Sequence, residues 1–135
     1  MTKKITDYLF EHAQSKPNDI AFRFLADTQA PEEITFKQLW YDSCVIAEFL
    51  KKNVSAGERV LLLYPSGLDY IKAFYACLIA GVIAVPLYPP RRNKKSARIL
   101  NVAQSCNARV ALTTTNDLET VKSCWNNEND LGLTL

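Results

Sequence analysis

The side chains able to do chemistry are few and scattered along the chain. Ser66 stands between an apolar run and an amphipathic stretch, where a hydrolase nucleophile would sit. The glycine two places before it is missing, however, Gly67 comes one place too early, and the only histidine, His12, lies upstream. Ser66 reads better as a helix cap accepting an amide, with Asp69 placed in the positive first turn. His12, next to Glu11, falls near the end of a short amphipathic stretch and reads as a surface group at a helix's negative end. Cys44, Cys77, Cys106 and Cys124 are far apart, with neither a Cys-x-x-Cys pair nor a His/Cys grouping. That pattern argues against a zinc site and a disulfide framework, and predicts reduced core thiols.

A phosphate cradle needs amides converging from clustered glycines, often with a lysine for charge. Gly57, Gly67, Gly81 and Gly132 are isolated, so neither a Walker A loop nor a Gly-x-Gly-x-x-Gly turn exists, and weak nucleotide binding is expected. The most suggestive surface feature is the run Tyr88-Pro89-Pro90-Arg91-Arg92-Asn93-Lys94-Lys95. It leaves the carboxyl end of an expected strand, where α/β sheets place ligands. Its four cations also precede a helix start that is already positive, a locally unfavourable placement that raises the interest of the site. Arg91, Arg92, Lys94 and Lys95 are therefore candidates for contact with a phosphate or an acidic partner, against the commoner reading of a solvated loop.

The elements that must position these groups follow from periodicity. A first helix is expected over 7–15, capped by Thr6 and closed by Pro17. Strands at 20–24 and 34–36, joined by a polar turn, suggest a small hairpin at the edge of a larger sheet. Thr35-Phe36-Lys37-Gln38 fits a capping box opening a helix to about 52, with Leu39, Ser43, Ile46, Ala47 and Leu50 on one face. Then come an apolar strand at 59–63, a helix at 68–80 with Ile71, Phe74, Tyr75 and Leu78 as its buried stripe, and Gly81 as a left-handed cap. A strand at 82–87, a helix at 96–107, a strand at 109–113, a helix opening at 116–119 and a strand starting at 131 complete the series. Apolar strands alternating with helices imply a doubly wound, mostly parallel α/β sheet flanked by helices on both faces, with the small hairpin at the amino end.

Residues 57–70 (Gly57-Glu58-Arg59-Val60-Leu61-Leu62-Leu63-Tyr64-Pro65-Ser66-Gly67-Leu68-Asp69-Tyr70) resemble the adenylate-forming superfamily. The stretch from Ala73 through Gly81 to Val85-Pro86-Leu87-Tyr88-Pro89-Pro90-Arg91 is similar to its fatty acyl-AMP ligase branch, as are Val110-Ala111-Leu112-Thr113-Thr114 and Ile34-Thr35-Phe36-Lys37-Gln38-Leu39. The resemblance implies the start of an amino-terminal AMP-binding domain, one partial domain over 1–135 that breaks off after Leu135. For the full-length family it implies ATP and Mg2+, activation of a long-chain fatty acid as acyl-adenylate, and delivery to an acyl carrier protein. The family's catalytic and ATP-binding residues have no counterpart in this sequence, so no catalytic, cofactor or metal residue is assigned and the chain alone is expected to be inactive. The rival expectation is a self-contained flavodoxin-like module that docks an acidic protein through Arg91 to Lys95.

The bulk properties bound both readings. A length of 135 residues, 48% apolar and 22% charged, suits one cytoplasmic globular domain. The formal net charge of +2 predicts neither specific nucleic-acid binding nor membrane insertion. A parallel sheet cut from its neighbours is expected to self-associate, through an edge near Val110 or through apolar helix faces.

Overall fold

The computed structural model describes residues 2–27, 29–90, 97–125 and 132–134. Among the described residues the helices and strands follow in the order α1 (Ile5–Ser15), β1 (Ile20–Phe24), β2 (Glu32–Thr35), α2 (Phe36–Asn53), β3 (Arg59–Leu63), α3 (Leu68–Ala80), β4 (Ile83–Leu87), α4 (Ala97–Cys106), β5 (Val110–Thr113), α5 (Leu118–Trp125) and β6 (Gly132–Thr134). The basic run at Arg91, Arg92, Lys94 and Lys95 lies outside the described residues.

The larger sheet has the order β4-β3-β5-β6 and every pairing in it is parallel. From β3 the chain winds outward through α3 to β4, then crosses back through α4 to β5 and onward through α5 to β6. Opposite directions of winding require helices on opposite faces if every crossover is right-handed. The packing agrees. Val60, Leu62 and Tyr64 of the β3 segment, with Val110 and Leu112 of β5, meet Ala47, Leu50, Ala73, Ala76 and Cys77 of α2 and α3. The alternate residues Leu61, Leu63 and Ala111 meet Ile99, Ala103 and Val121 of α4 and α5. Val60 to Leu63 are fully buried, and at roughly 1.5–3 kcal/mol for each such side chain they make β3 the spine of the fold. The doubly wound α/β architecture expected from the sequence is thus the one observed.

Several local expectations are corrected. The hairpin does not join the larger sheet: β1 and β2 form a separate antiparallel pair. It rests instead on α1, α2 and α3 through Leu9, Ile34 and Leu39, with Ala21, Phe36 and Tyr75 packed around them. Helix α1 begins after Lys4, not Thr6, because the Asp7 carboxylate accepts the Lys4 amide at 2.8 Å and so fixes the first turn earlier. Thr35 caps α2 as expected, accepting from the Gln38 amide at 3.2 Å. The Gln38 side chain does not complete the box, since its Nε2 donates to Asp42 Oδ1 at 2.7 Å.

In α3 the sealed stripe is Ala73, Ala76 and Cys77, whereas Phe74 and Leu78 remain 36% and 39% exposed. Close approach of α3 to α2 and the sheet leaves room only for small side chains there, and the large ones move to the flanks. Gly81 ends α3 in the left-handed conformation, φ 76°, as the sequence predicts. Strand β5 is no edge, because it pairs with β3 on one side and β6 on the other. Of the cysteines, Cys77 is buried while Cys44 and Cys106 are half-buried, all three as free thiols. Among the described residues no helix is long and apolar enough to cross a membrane.

Candidate functional site

The switch in winding direction falls between β3 and β5, and the turns leaving their carboxyl ends diverge to opposite faces, which in α/β sheets opens a ligand crevice. The two strand ends are tied together there: Thr113 Oγ1, buried, donates to the Leu63 carbonyl at 2.8 Å. Beyond the tie, Thr114 Oγ1 accepts the Asp117 amide at 3.2 Å and donates to Asp117 Oδ2 at 2.9 Å, so the polar groups of this turn are spent on starting α5.

On the other side of β3 the carboxyl end is open. A hollow of about 400 Å3 is bounded by Phe24 of the hairpin, Tyr64 and Ser66 of the turn after β3, Tyr70 and Ile71 of α3, and Leu87 and Tyr88 at the end of β4. Four separate segments build it, each contributes one aromatic ring (Phe24, Tyr64, Tyr70 and Tyr88), and its polar side-chain groups are hydroxyls. Burial, then the Asp69 carboxylate and Cys77, push the Tyr64 phenol well above its usual value. The group therefore stays protonated, a hydrogen-bond donor, across the working range of any enzyme.

Ser66 is exposed on the rim, and it is not the cap the sequence suggested. Gly67 occupies that position in extended backbone, φ 157°, and no side chain bonds the first amides of α3. Asp69 does sit in the first turn. His12 is half-buried, its ring 5.1 Å from that of Phe36, and acts as part of the packing between α1 and α2. No hydrogen bond joins Ser66 and His12 among the described residues, and His12 is engaged with the Phe36 ring.

A larger hollow, about 780 Å3, opens at the amino ends of β3 and β5 around Glu58, Arg59, Gln104, Asn107 and Arg109. Next to it a second, of about 590 Å3, adds Lys51 and Lys52 and shares Arg109. Four cations from three distant segments meet here, and among the described residues none has an ion-pair partner. Parallel sheets carry their ligand loops at the carboxyl ends, so size alone does not make this end the functional one. The sequence reading missed both gatherings. Aromatic residues at strand ends were the only available signal for the apolar hollow, and nothing local marks Lys51, Arg59 and Arg109 as neighbours.

Among the described residues neither end offers converging glycine amides to cradle a nucleotide triphosphate. The Gly57 amide is spent on the Gly81 carbonyl at 2.9 Å, and Gly67 stands alone at α3. Among the described residues no group of three or more His, Cys, Asp or Glu side chains could hold a metal ion.

The model of the AMP-binding enzyme family matches residues 9–134. A medium-chain-fatty-acid–[acyl-carrier-protein] ligase of Teredinibacter turnerae is 35% identical over 120 residues, covering 88% of this chain and 18% of that protein. A long-chain-fatty-acid–AMP ligase of Mycobacterium marinum is 36% identical over 116 residues, 83% of this chain and 20% of the relative. The crystal structure of a fatty acyl-adenylate ligase from L. pneumophila, in complex with acyl adenylate and pyrophosphate, superposes with a TM-score of 0.77 at 32% identity, over 84% of this chain and 20% of that one. The chain thus spans about a fifth of the length of these relatives. With the family's pattern running through almost all of its residues and its sheet laid out as in a solved member, the chain belongs to the AMP-binding enzyme family.

Proposed function

We propose that this chain is the scaffold-forming first part, one partial domain, of a cytoplasmic ligase that uses ATP to convert a long-chain fatty acid into its acyl-adenylate, releasing pyrophosphate, and then delivers the acyl group to an acyl carrier protein. The observation that carries the reading is the superposition on a ligase solved with acyl adenylate and pyrophosphate, at an identity of 32%. ATP, with Mg2+ neutralising its phosphate charge, would supply the leaving group. The described residues do not fit either one, and no step is assigned to them. What the chain contributes is a rigid sheet, a tied switch point and an apolar hollow at the end of the sheet where ligands gather. On this reading the chain alone is catalytically silent.

The test compares the 135-residue chain with the polypeptide encoded by its complete reading frame, each given ATP, Mg2+ and a fatty acid, with pyrophosphate release followed. Release only by the longer protein is expected. Turnover by the short chain would refute its silence, and inactivity of a folded longer protein would refute the ligase reading. A stop codon directly after Leu135, together with salt-sensitive binding of an acidic protein lost on replacing Arg91, Arg92, Lys94 and Lys95, would favour the self-contained module instead.

A further inference from the structure

The hollow at the carboxyl ends of β3 and β4 contains a polar group that the fold leaves without a partner. Tyr64 is only 7% exposed, yet among the described residues no group accepts a hydrogen bond from its hydroxyl. It differs in this from Ser43, whose unpaired hydroxyl is sealed inside the protein. Tyr64 lines an open space of about 400 Å3, within the roughly 300–1,000 Å3 of small-molecule sites. The surrounding walls are apolar: Phe24, Tyr70, Ile71, Leu87 and the ring of Tyr88. Such walls favour an alkyl segment and offer nothing to a charged or strongly hydrated group. A donor set among apolar walls, with the Ser66, Tyr70 and Tyr88 hydroxyls elsewhere in the lining, favours a ligand that brings an acceptor to it, because one net hydrogen bond is then gained.

We propose that this hollow takes the alkyl segment of the acyl substrate and that Tyr64 is a specificity-determining residue in it, donating a hydrogen bond to an oxygen carried along the chain, so that oxygenated acyl chains are preferred over plain ones. The inference rests on the fatty-acid reading above for the class of ligand. The geometry of the hollow supplies the preference.

Calorimetric titration of the 135-residue chain with dodecanoate, 3-hydroxydodecanoate, 12-hydroxydodecanoate and the methyl ether of the last, all below their micellar concentrations, tests it. At least one oxygenated chain should bind about fivefold more tightly than dodecanoate, the ratio that one net hydrogen bond confers. Tyr64→Phe should erase that advantage while leaving dodecanoate within about twofold of its native affinity. O-Methylation keeps the acceptor and removes the ligand's own donor, so an advantage at the 12-position should survive it. Equal affinities across the series, or an advantage that persists in Tyr64→Phe, would overturn the proposal. Should that variant fail to fold, loss of the 12-hydroxy advantage on methylation would overturn it just as well. If no chain binds the native protein, the hollow is not an acyl site and the proposal falls. Pyrophosphate release by the longer polypeptide with dodecanoate would still leave the ligase reading standing.

Discussion

Ser43 Oγ is the one side-chain oxygen among the described residues that is sealed from solvent without a hydrogen-bond partner, and it sits in α2 on the stripe that also carries Leu39, Ala47 and Leu50. Its small size suits the close approach of neighbouring elements, while its hydroxyl carries an uncompensated desolvation cost. Ser43→Ala keeps the size, removes the cost and adds helix propensity, so a gain on the order of 1 kcal/mol is expected, read as a higher urea midpoint with an unchanged slope. Cys77 behaves differently, because burial pushes its thiol up from 9.0 to about 12. The unfolded chain therefore releases this proton first. Stability is at its full value below pH 9 and falls by about 1.4 kcal/mol per pH unit as the pH rises from there toward 12. Urea melts between pH 9 and 10 should show that slope and Cys77→Ala should reduce it, while above pH 10 the raised Tyr64 phenol adds a loss of the same sign that the variant keeps. The Cys44 thiol, raised chiefly by burial with Lys51 opposing and Glu48 assisting, adds a smaller change of the same sign.

Strand β4 shows how one residue decides what an element can do. The Ile83 amide donates to the Glu58 carbonyl at 2.8 Å, so in this parallel ladder the odd-numbered amides of β4 face β3 and the even-numbered positions face outward. Pro86 stands at an outward position, where it has no N–H to offer. The free edge is thereby interrupted halfway along, a known guard against edge-to-edge pairing. Pro86→Val restores the outward donor and should raise β-type aggregation, measured as faster thioflavin fluorescence growth at equal concentration; an unchanged rate would count against the guard. At the other side of α3, Lys72 lies 3.2 Å from Asp42 of α2 and 3.7 Å from Asp69, linking the two helices at a half-buried position. Whether Pro86 faces β3 or solvent is decided by the direction of one backbone hydrogen bond, which is invisible in the sequence.

Taken whole, the molecule leaves a flank of apolar surface along α3, where Phe74 and Leu78, one helical turn apart, are 36% and 39% exposed. Because Pro86 interrupts the β4 edge, self-association of the isolated chain on this side should proceed through the helix flank and not through β4. Light scattering should give a mass above one chain that grows with concentration, and Phe74→Lys with Leu78→Lys should return it to one chain; a single-chain mass for the native protein at all concentrations would count against it. The sequence by itself determined the strand and helix series, the double winding, the Thr35 and Gly81 caps and the family, because periodicity, capping chemistry and local motifs act over a few residues. The spacing it lacks is that of the nucleophile elbow and the glycine-rich phosphate loop, both of which are local patterns. Only the tertiary structure decided that the hairpin stands apart, that small residues and not Phe74 and Leu78 seal α3, and that Phe24, Tyr64, Ile71 and Tyr88 share one hollow. Those outcomes depend on which surfaces approach across long stretches of chain, and the closeness of that approach is set by packing, which no local pattern encodes.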